Sequence, residues 1–156
     1  MHSEEFMREA IRLSVENVES GKGGPFGAVI VRNSEIIARG ANQVTSTNDP
    51  TAHAEVVAIR EACKIIENFQ LTGCEIYCSC EPCPMCFGAI YWARLDAIYF
   101  GNSKHDAAEI QFDDHFIYEE IEKPFSERKT FTRQILREEA LTAFQKWASN
   151  EQKVEY

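Results

Sequence analysis

Two short stretches of the sequence, His53-Ala54-Glu55 and Pro82-Cys83-Pro84-Met85-Cys86, bring together three metal-ligand side chains and one carboxylate. Both are expected where helices begin, so the fold has to place two helix starts side by side. Two cysteines three residues apart at a helix start can point at one ion, with their thiolates facing the positive end of the helix. With the imidazole of His53 they make three protein ligands. This leaves a fourth tetrahedral position for water, which is typical of a catalytic zinc ion.

Glu55 is the candidate for proton transfer at this zinc site. It follows His53 by two residues in the first helical turn, an offset that can bring its carboxylate toward the water without ligating the metal. A carboxylate in that place can take a proton from water and pass it to a leaving amine. The plain alternative is a glutamate that only complements the helix dipole. The joint arrangement is rarer than its parts, so it favours catalysis.

A structural zinc site in a binding module is the competing interpretation. Cys80 offers a third thiolate, and with His53, Cys83 and Cys86 it would close a four-ligand site. Against this, Cys80 is expected at the end of a strand, where its side chain need not point the same way as Cys83. A closed site would also leave Glu55 without a role.

Composition and charge limit the function further. The 156 residues, 44% hydrophobic and 26% charged, predict one globular domain over residues 1–156. The net charge of −9 and the lack of a basic stripe argue against nucleic acid and favour a small-molecule substrate. No apolar run has the length of a membrane span, and the start of the chain lacks a secretory pattern. Six clustered cysteines suit metal binding in a reducing compartment, so we expect a cytoplasmic protein without a membrane partner.

Periodicity predicts helices alternating with strands around one sheet, which implies a three-layer α/β domain. Helices are predicted over residues 4–19, from near Thr51 with that residue as its cap, and over 84–94, 116–121 and 138–148. Strands are predicted over residues 26–31, 35–40, 75–79, 96–101 and 131–136.

The two opening motifs match the H-x-E and P-C-x-x-C signature of zinc nucleobase deaminases. From Phe26 to about Gly101 the chain resembles the cytidine-deaminase-like superfamily. Residues 24–29 and 49–55 look like its purine branch, the guanine deaminases and tRNA adenosine deaminases. Residues 112–118 and 153–156 resemble bacterial guanine deaminases, and the acidic composition agrees with that group.

This resemblance implies an architecture. It predicts an α/β/α sandwich with a mixed five-stranded sheet, and a homodimer that exchanges C-terminal segments of about residues 138–156. Tyr156 would then complete the partner subunit's active site. The residue pattern alone makes residues 150–156 a frayed polar end, so the exchange follows from the resemblance only.

The resemblance also implies a reaction, the zinc-dependent conversion of guanine to xanthine and ammonia, with one Zn²⁺ per subunit. Glu55 would move the proton of the attacking water, and Asp114 would assist proton transfer to the departing amine. The base would be bound by Phe26, Asn42 and the backbone of Ala54. On residue type alone a core position is the commoner use of Phe26, and Asn42 is equally a turn residue. Guanosine, tRNA adenosine and cytosine remain alternative substrates.

Overall fold

The computed structural model describes residues 2–156; Met1, the first residue of the predicted domain, lies outside them. Four strands, β1 (Gly27–Arg32), β2 (Glu35–Ala41), β3 (Cys74–Cys80) and β4 (Ala97–Asn102), form one sheet in the order β2-β1-β3-β4. β1 is antiparallel to both of its neighbours, whereas β3 and β4 are parallel. The predicted mixed sheet is therefore confirmed.

Alternating side chains of β1 build two apolar layers, one on each face of the sheet. Val29 and Val31 pack with Phe6 of helix α1 (His2–Glu19). Ala28 and Ile30 belong to the larger core on the other face, which includes residues of α3 (Ala54–Ile65) and α4 (Pro84–Trp92). Because successive strand residues point to opposite faces, one strand holds both helical layers. This confirms the three-layer α/β/α prediction.

The directions of the strands determine which edge of the sheet lies next to the candidate functional residues. β2 and β3 both run antiparallel to β1, so they run parallel to each other and to β4. Their carboxyl ends therefore meet at one edge, and α3 and α4 begin beyond that edge. The amino end of β1 lies there too, since Gly27 pairs with Ala41. Crevices outside the carboxyl ends of such strands are the usual ligand sites of α/β sheets.

The predicted fifth strand is wrong. Residues 131–136 form neither helix nor strand, and the described chain has a four-stranded sheet. Phe131 is 86% exposed and Ile135 69% exposed. The apolar residues that suggested a strand have no other strand next to them. Strand propensity depends on packing against neighbouring strands, so the pattern alone is not sufficient.

The predicted helix start at Thr51 is also wrong, because α3 begins at Ala54 with His53 as its N-cap. The backbone N–H and the hydroxyl of Thr51 both donate to Oδ1 of Asp49, at 2.8 and 2.6 Å. This turn stabilised by an aspartate side chain delays the helix by three residues.

Short helices α2 (Val44–Thr47) and α5 (Lys104–Glu109) add to the predicted elements. The chain divides into two compact units, Met1–Asp114 and His115–Tyr156. The second unit contains α6 (His115–Glu122), a 3₁₀ turn (Phe125–Glu127) and α7 (Arg137–Ser149). Both of its predicted helices are thereby confirmed. Across residues 2–156 no helix combines the length and apolar character that a membrane crossing requires.

Candidate metal centre and active site

Three ligand atoms converge where α3 and α4 begin. Nδ1 of His53 lies 3.5 Å from Sγ of Cys83 and 3.5 Å from Sγ of Cys86, and all three atoms lie within 4.8 Å of one another. Tetrahedral zinc with ordinary Zn–N and Zn–S bonds places nitrogen and sulfur about 3.6 Å apart. The donor set and its spacing thus fit a zinc ion.

The backbone explains this convergence. His53 and Cys83 are the N-cap residues of α3 and α4, with extended backbone angles and no side-chain capping bond, so their side chains are available as ligands. Pro84 occupies the first turn of α4, where a missing N–H costs little. One helical turn from Cys83 to Cys86 then brings the second sulfur to the same point.

Electrostatics favour a metal-binding thiolate at Cys83. A hydrogen bond from Cys86, and after it one with His53, lowers the pKa of the Cys83 thiol to about 4, although burial opposes the shift. The same partnership with the Cys83 thiolate raises the pKa of His53. The positive end of α4 acts in the same direction on a sulfur at its N-cap. Because a thiolate is the form that ligates metal, Cys83 is prepared for this role.

Glu55 lies beside the ligands without joining them. Its side chain is buried, with the residue 8% exposed, and Sγ of Cys86 donates to its Oε2 at 3.4 Å. Burial is the main cause that raises the pKa of this carboxyl group. A carboxyl group that holds a proton more readily than usual, next to a metal centre, suits general acid and base catalysis.

Cys80 does not point into the centre. Its Sγ donates instead to the backbone oxygen of Ser103 at 3.7 Å. The described residues that gather as metal donors are His53, Cys83 and Cys86. The geometry gives three ligands and an adjacent carboxylate, and it does not support the four-ligand structural site.

The candidate base-binding residues share the edge of the sheet with the metal ligands. Phe26 precedes β1 and packs edge-on against Phe112, with 5.0 Å between ring centroids. Asn42 follows β2, is buried, and donates its backbone N–H to the oxygen of Phe26 at 3.1 Å. Its Oδ1 accepts the N–H of Val44 at 3.2 Å, which leaves the amide N–H₂ of Asn42 as its donor group. Ala54 is almost fully buried at the start of α3.

Asp114 and Tyr156 were predicted from resemblance. Asp114 ends the first unit and is partly buried; burial raises its pKa, and the negative charge of Cys83 adds to the rise. Tyr156 belongs to the second unit and is 68% exposed. The roles of both residues stay predictions.

Two polar residues near this edge make side-chain hydrogen bonds that the sequence analysis did not predict. Oε2 of Glu81 accepts the backbone N–H of Lys104 at 2.9 Å, which ties the segment before Cys83 to the start of α5. Asn17 on α1 is buried and donates to two backbone oxygens at the base-binding side. Its signal in the sequence was weak: it lies seven residues from Ala10, on the buried face of an amphipathic helix.

Comparison with known proteins agrees with this geometry. Residues 1–102 match the family of the cytidine and deoxycytidylate deaminase zinc-binding region. A guanine deaminase from Bacillus subtilis is 54% identical over 156 residues, all of both chains. The X-ray structure of guanine deaminase from that organism superposes with a TM-score of 0.97 over 100% of this chain and 99% of the other. A tRNA-specific adenosine deaminase from Aquifex aeolicus is 41% identical over 67% of this chain and 70% of its own length.

The chain belongs to the cytidine and deoxycytidylate deaminase family, with that family's zinc-binding region. A relative that it matches over the full length is a guanine deaminase. The predictions of the family, of an enzyme and of zinc as its cofactor are confirmed.

Proposed function

We propose that this protein hydrolyses guanine to xanthine and ammonia. The observation that carries the proposal is the full-length match with a guanine deaminase, which includes residues 115–156 beyond the family's zinc-binding region. The tRNA adenosine deaminase match covers only 67% of the chain. The net charge of −9 also suits a small neutral base better than a polyanion.

His53, Cys83 and Cys86 would hold the zinc ion. When bound by three protein ligands, zinc lowers the pKa of water and so supplies a nucleophile at neutral pH. Glu55 takes the proton of the attacking water and hands it to the purine ring. Its burial supports this role, because a carboxyl group with a raised pKa accepts a proton more readily than an ordinary carboxyl group and can then return it.

The base itself would be held by groups at the same edge of the sheet. The amide N–H₂ of Asn42 donates to an acceptor on the purine, since the amide oxygen already accepts from Val44. The ring of Phe26 packs against the base, and the backbone of Ala54, next to His53 at the start of α3, lines the site. Asp114 assists the second proton transfer, to the amine that leaves C2, and its raised pKa suits a proton donor.

A homodimer that exchanges residues 138–156 is the second part of the proposal, with Tyr156 entering the partner subunit's active site. The support is the exposure of the second unit: none of residues 115–156 is buried. Phe144 is 74% exposed and Trp147 45% exposed on α7. Helices with apolar side chains and no core need a covering surface.

We place this dimer in the cytoplasm, where reducing conditions keep metal-binding thiols free.

Ammonia release by the zinc-loaded protein tests the substrate. The panel is guanine, guanosine, adenine, cytosine and a tRNA anticodon stem at equal concentration. We expect release from guanine well above release from the other compounds. Preferred release from the tRNA stem, guanosine or cytosine would keep the zinc chemistry and overturn the assignment of guanine.

A further inference from the structure

One buried amide connects α1 to both candidate base contacts. Nδ2 of Asn17 donates to the backbone oxygen of Gly24 at 2.8 Å and to the backbone oxygen of Asn42 at 2.9 Å. Asn17 itself is 6% exposed. Both acceptors are carbonyl oxygens, so only the N–H₂ end of an amide satisfies them, and this chemistry fixes the orientation of the side chain.

These two oxygens belong to the segments that carry Phe26 and Asn42. Phe26 follows Gly24 by two residues, and the backbone N–H of Asn42 donates to the oxygen of Phe26 at 3.1 Å. The turn is also held from its other side, because the N–H of Lys22 donates to the backbone oxygen of Asn17 at 3.1 Å. A single residue of α1 thus bonds to the glycine-rich turn twice and to the end of β2 once.

The atoms at the junction where Asn17, the glycine-rich turn and the end of β2 meet are closely packed. A Cβ atom at Gly23 would lie 2.2 Å from the oxygen of Asn42 and 2.9 Å from Nδ2 of Asn17. Neither the turn nor the asparagine can therefore move toward the other. Loss of the Asn17 amide would remove this donor from the oxygen of Asn42 and leave the oxygen of Gly24 with the N–H of Phe26, at 2.8 Å. The link that Asn17 makes between the two segments would then be lost.

We propose that Asn17 is a positioning residue for base recognition, which sets the spacing between the ring of Phe26 and the amide of Asn42. This inference rests on the proposed function, since it takes those two residues as the base contacts. Asn17 acts through the backbone of the two segments that carry Phe26 and Asn42. None of its hydrogen bonds described above involves a metal ligand. One group contacts the face of the ligand and another bonds to its edge. Both must be placed to within a fraction of an ångström, so a small shift of either group weakens binding.

The test compares Asn17→Ala with Ser14→Ala, measuring guanine KM, kcat and zinc content. Ser14 is a matched control: it is also buried on α1, three residues earlier, and its hydroxyl donates only to the oxygen of Ile11 in the same helix. We expect Asn17→Ala to raise KM about tenfold while kcat per bound zinc changes less than about threefold. Ser14→Ala should keep both near wild type. Gly23→Ala, which presses on the same junction, should also raise KM.

A double-mutant cycle with Asn42→Ala shows whether Asn17 acts through Asn42. If it does, the KM effects of Asn17→Ala and Asn42→Ala are less than additive. The positioning role would be overturned by an unchanged KM for Asn17→Ala or by equal rises in KM for Asn17→Ala and Ser14→Ala. Failure of both Asn17→Ala and Gly23→Ala to fold would also overturn it. A wild-type protein inactive on guanine, or an Asn42→Ala variant with normal KM, would instead count against the proposed function.

Discussion

Sγ of Cys86 lies 3.4 Å from Oε2 of Glu55, although the two residues are 31 positions apart in the chain. One belongs to the metal donor set and the other is the carboxyl group that we propose moves protons. The contact arises because α3 and α4 begin at the same edge of the sheet, after parallel strands β2 and β3. The candidate ligand and the proposed proton carrier are therefore both positioned by the starts of these two helices.

Zinc retention should separate the three cysteines of this region. Cys83→Ala and Cys86→Ala each remove one of three ligands, so we expect both to lose stoichiometric zinc and activity together. Cys80→Ser is the matched control and should keep its zinc, because Cys80 bonds to Ser103. Metal analysis after gel filtration measures this. Full zinc in either alanine variant would contradict the ligand assignment.

Glu55→Gln should separate chemistry from metal binding. The amide keeps the size of the side chain but cannot carry the proton, so we expect normal zinc content and a kcat lower by about 100- to 10,000-fold. Single-turnover kinetics with guanine, alongside metal analysis, measures both quantities. A rate near that of the wild type would remove Glu55 from the mechanism.

The C-terminal tail has a prediction of its own. Deleting residues 154–156 should lower kcat/KM for guanine by at least about tenfold, because it removes the ring proposed to complete a partner's site. Thermal unfolding should barely change, since Val154 and Tyr156 are exposed. Val154→Ala is the control with Tyr156 intact. Normal kinetics after the deletion would refute a role for Tyr156.

Gly40 allows α3 to approach the sheet. A Cβ atom there would lie 2.2 Å from the oxygen of Ala54 and 2.7 Å from the nitrogen of Ala58, both in the backbone of α3. Gly40→Ala should therefore push the helix outward, destabilise the fold by about 1–3 kcal/mol and weaken zinc binding through His53. Denaturant unfolding and a chelator competition measure the two effects. Unchanged zinc affinity would mean that α3 adjusts without moving His53.

A surface ion network gives a pH-dependent contribution to stability. Arg12, and after it Arg39, donates to Glu9 and lowers the pKa of its carboxyl group from 4.5 to about 2. Because the folded pKa lies below the unfolded one, this stabilisation is present above about pH 4.5 and is lost progressively as the pH falls from 4.5 through about 2.

Glu9→Gln should accordingly lower the free energy of unfolding by about 1 kcal/mol at pH 7, a modest value because the two arginines are half exposed. The difference from wild type should be clearly smaller at pH 2.5 than at pH 7. Urea unfolding of both proteins at the two pH values, at matched zinc loading, measures it. A difference that persists unchanged at pH 2.5 would contradict an electrostatic origin.

Local patterns predicted most helices and strands of the fold. The amphipathic spacing of α1 and the apolar runs of β1 and β3 are properties of neighbouring residues, which sequence records directly. The errors lie where secondary structure is not determined by neighbouring residues in the sequence. Residues 131–136 have a strand-like pattern but no strand beside them. Hydrogen bonds that Thr51 donates to the carboxylate of Asp49 delay the start of α3.

The sequence by itself was sufficient to predict the candidate zinc ligands, because His53, Cys83 and Cys86 are chemically distinctive and their spacing matches helix starts. It could not reveal Asn17, whose function depends on backbone oxygens 7 and 25 residues away. Nor could it show that Cys80 points to Ser103 instead of the metal donors. These outcomes depend on where strands β1, β2 and β3 end relative to one another. The chemistry of each side chain can be read from the sequence directly. Contacts between backbone groups that are distant in the sequence are determined only by tertiary packing.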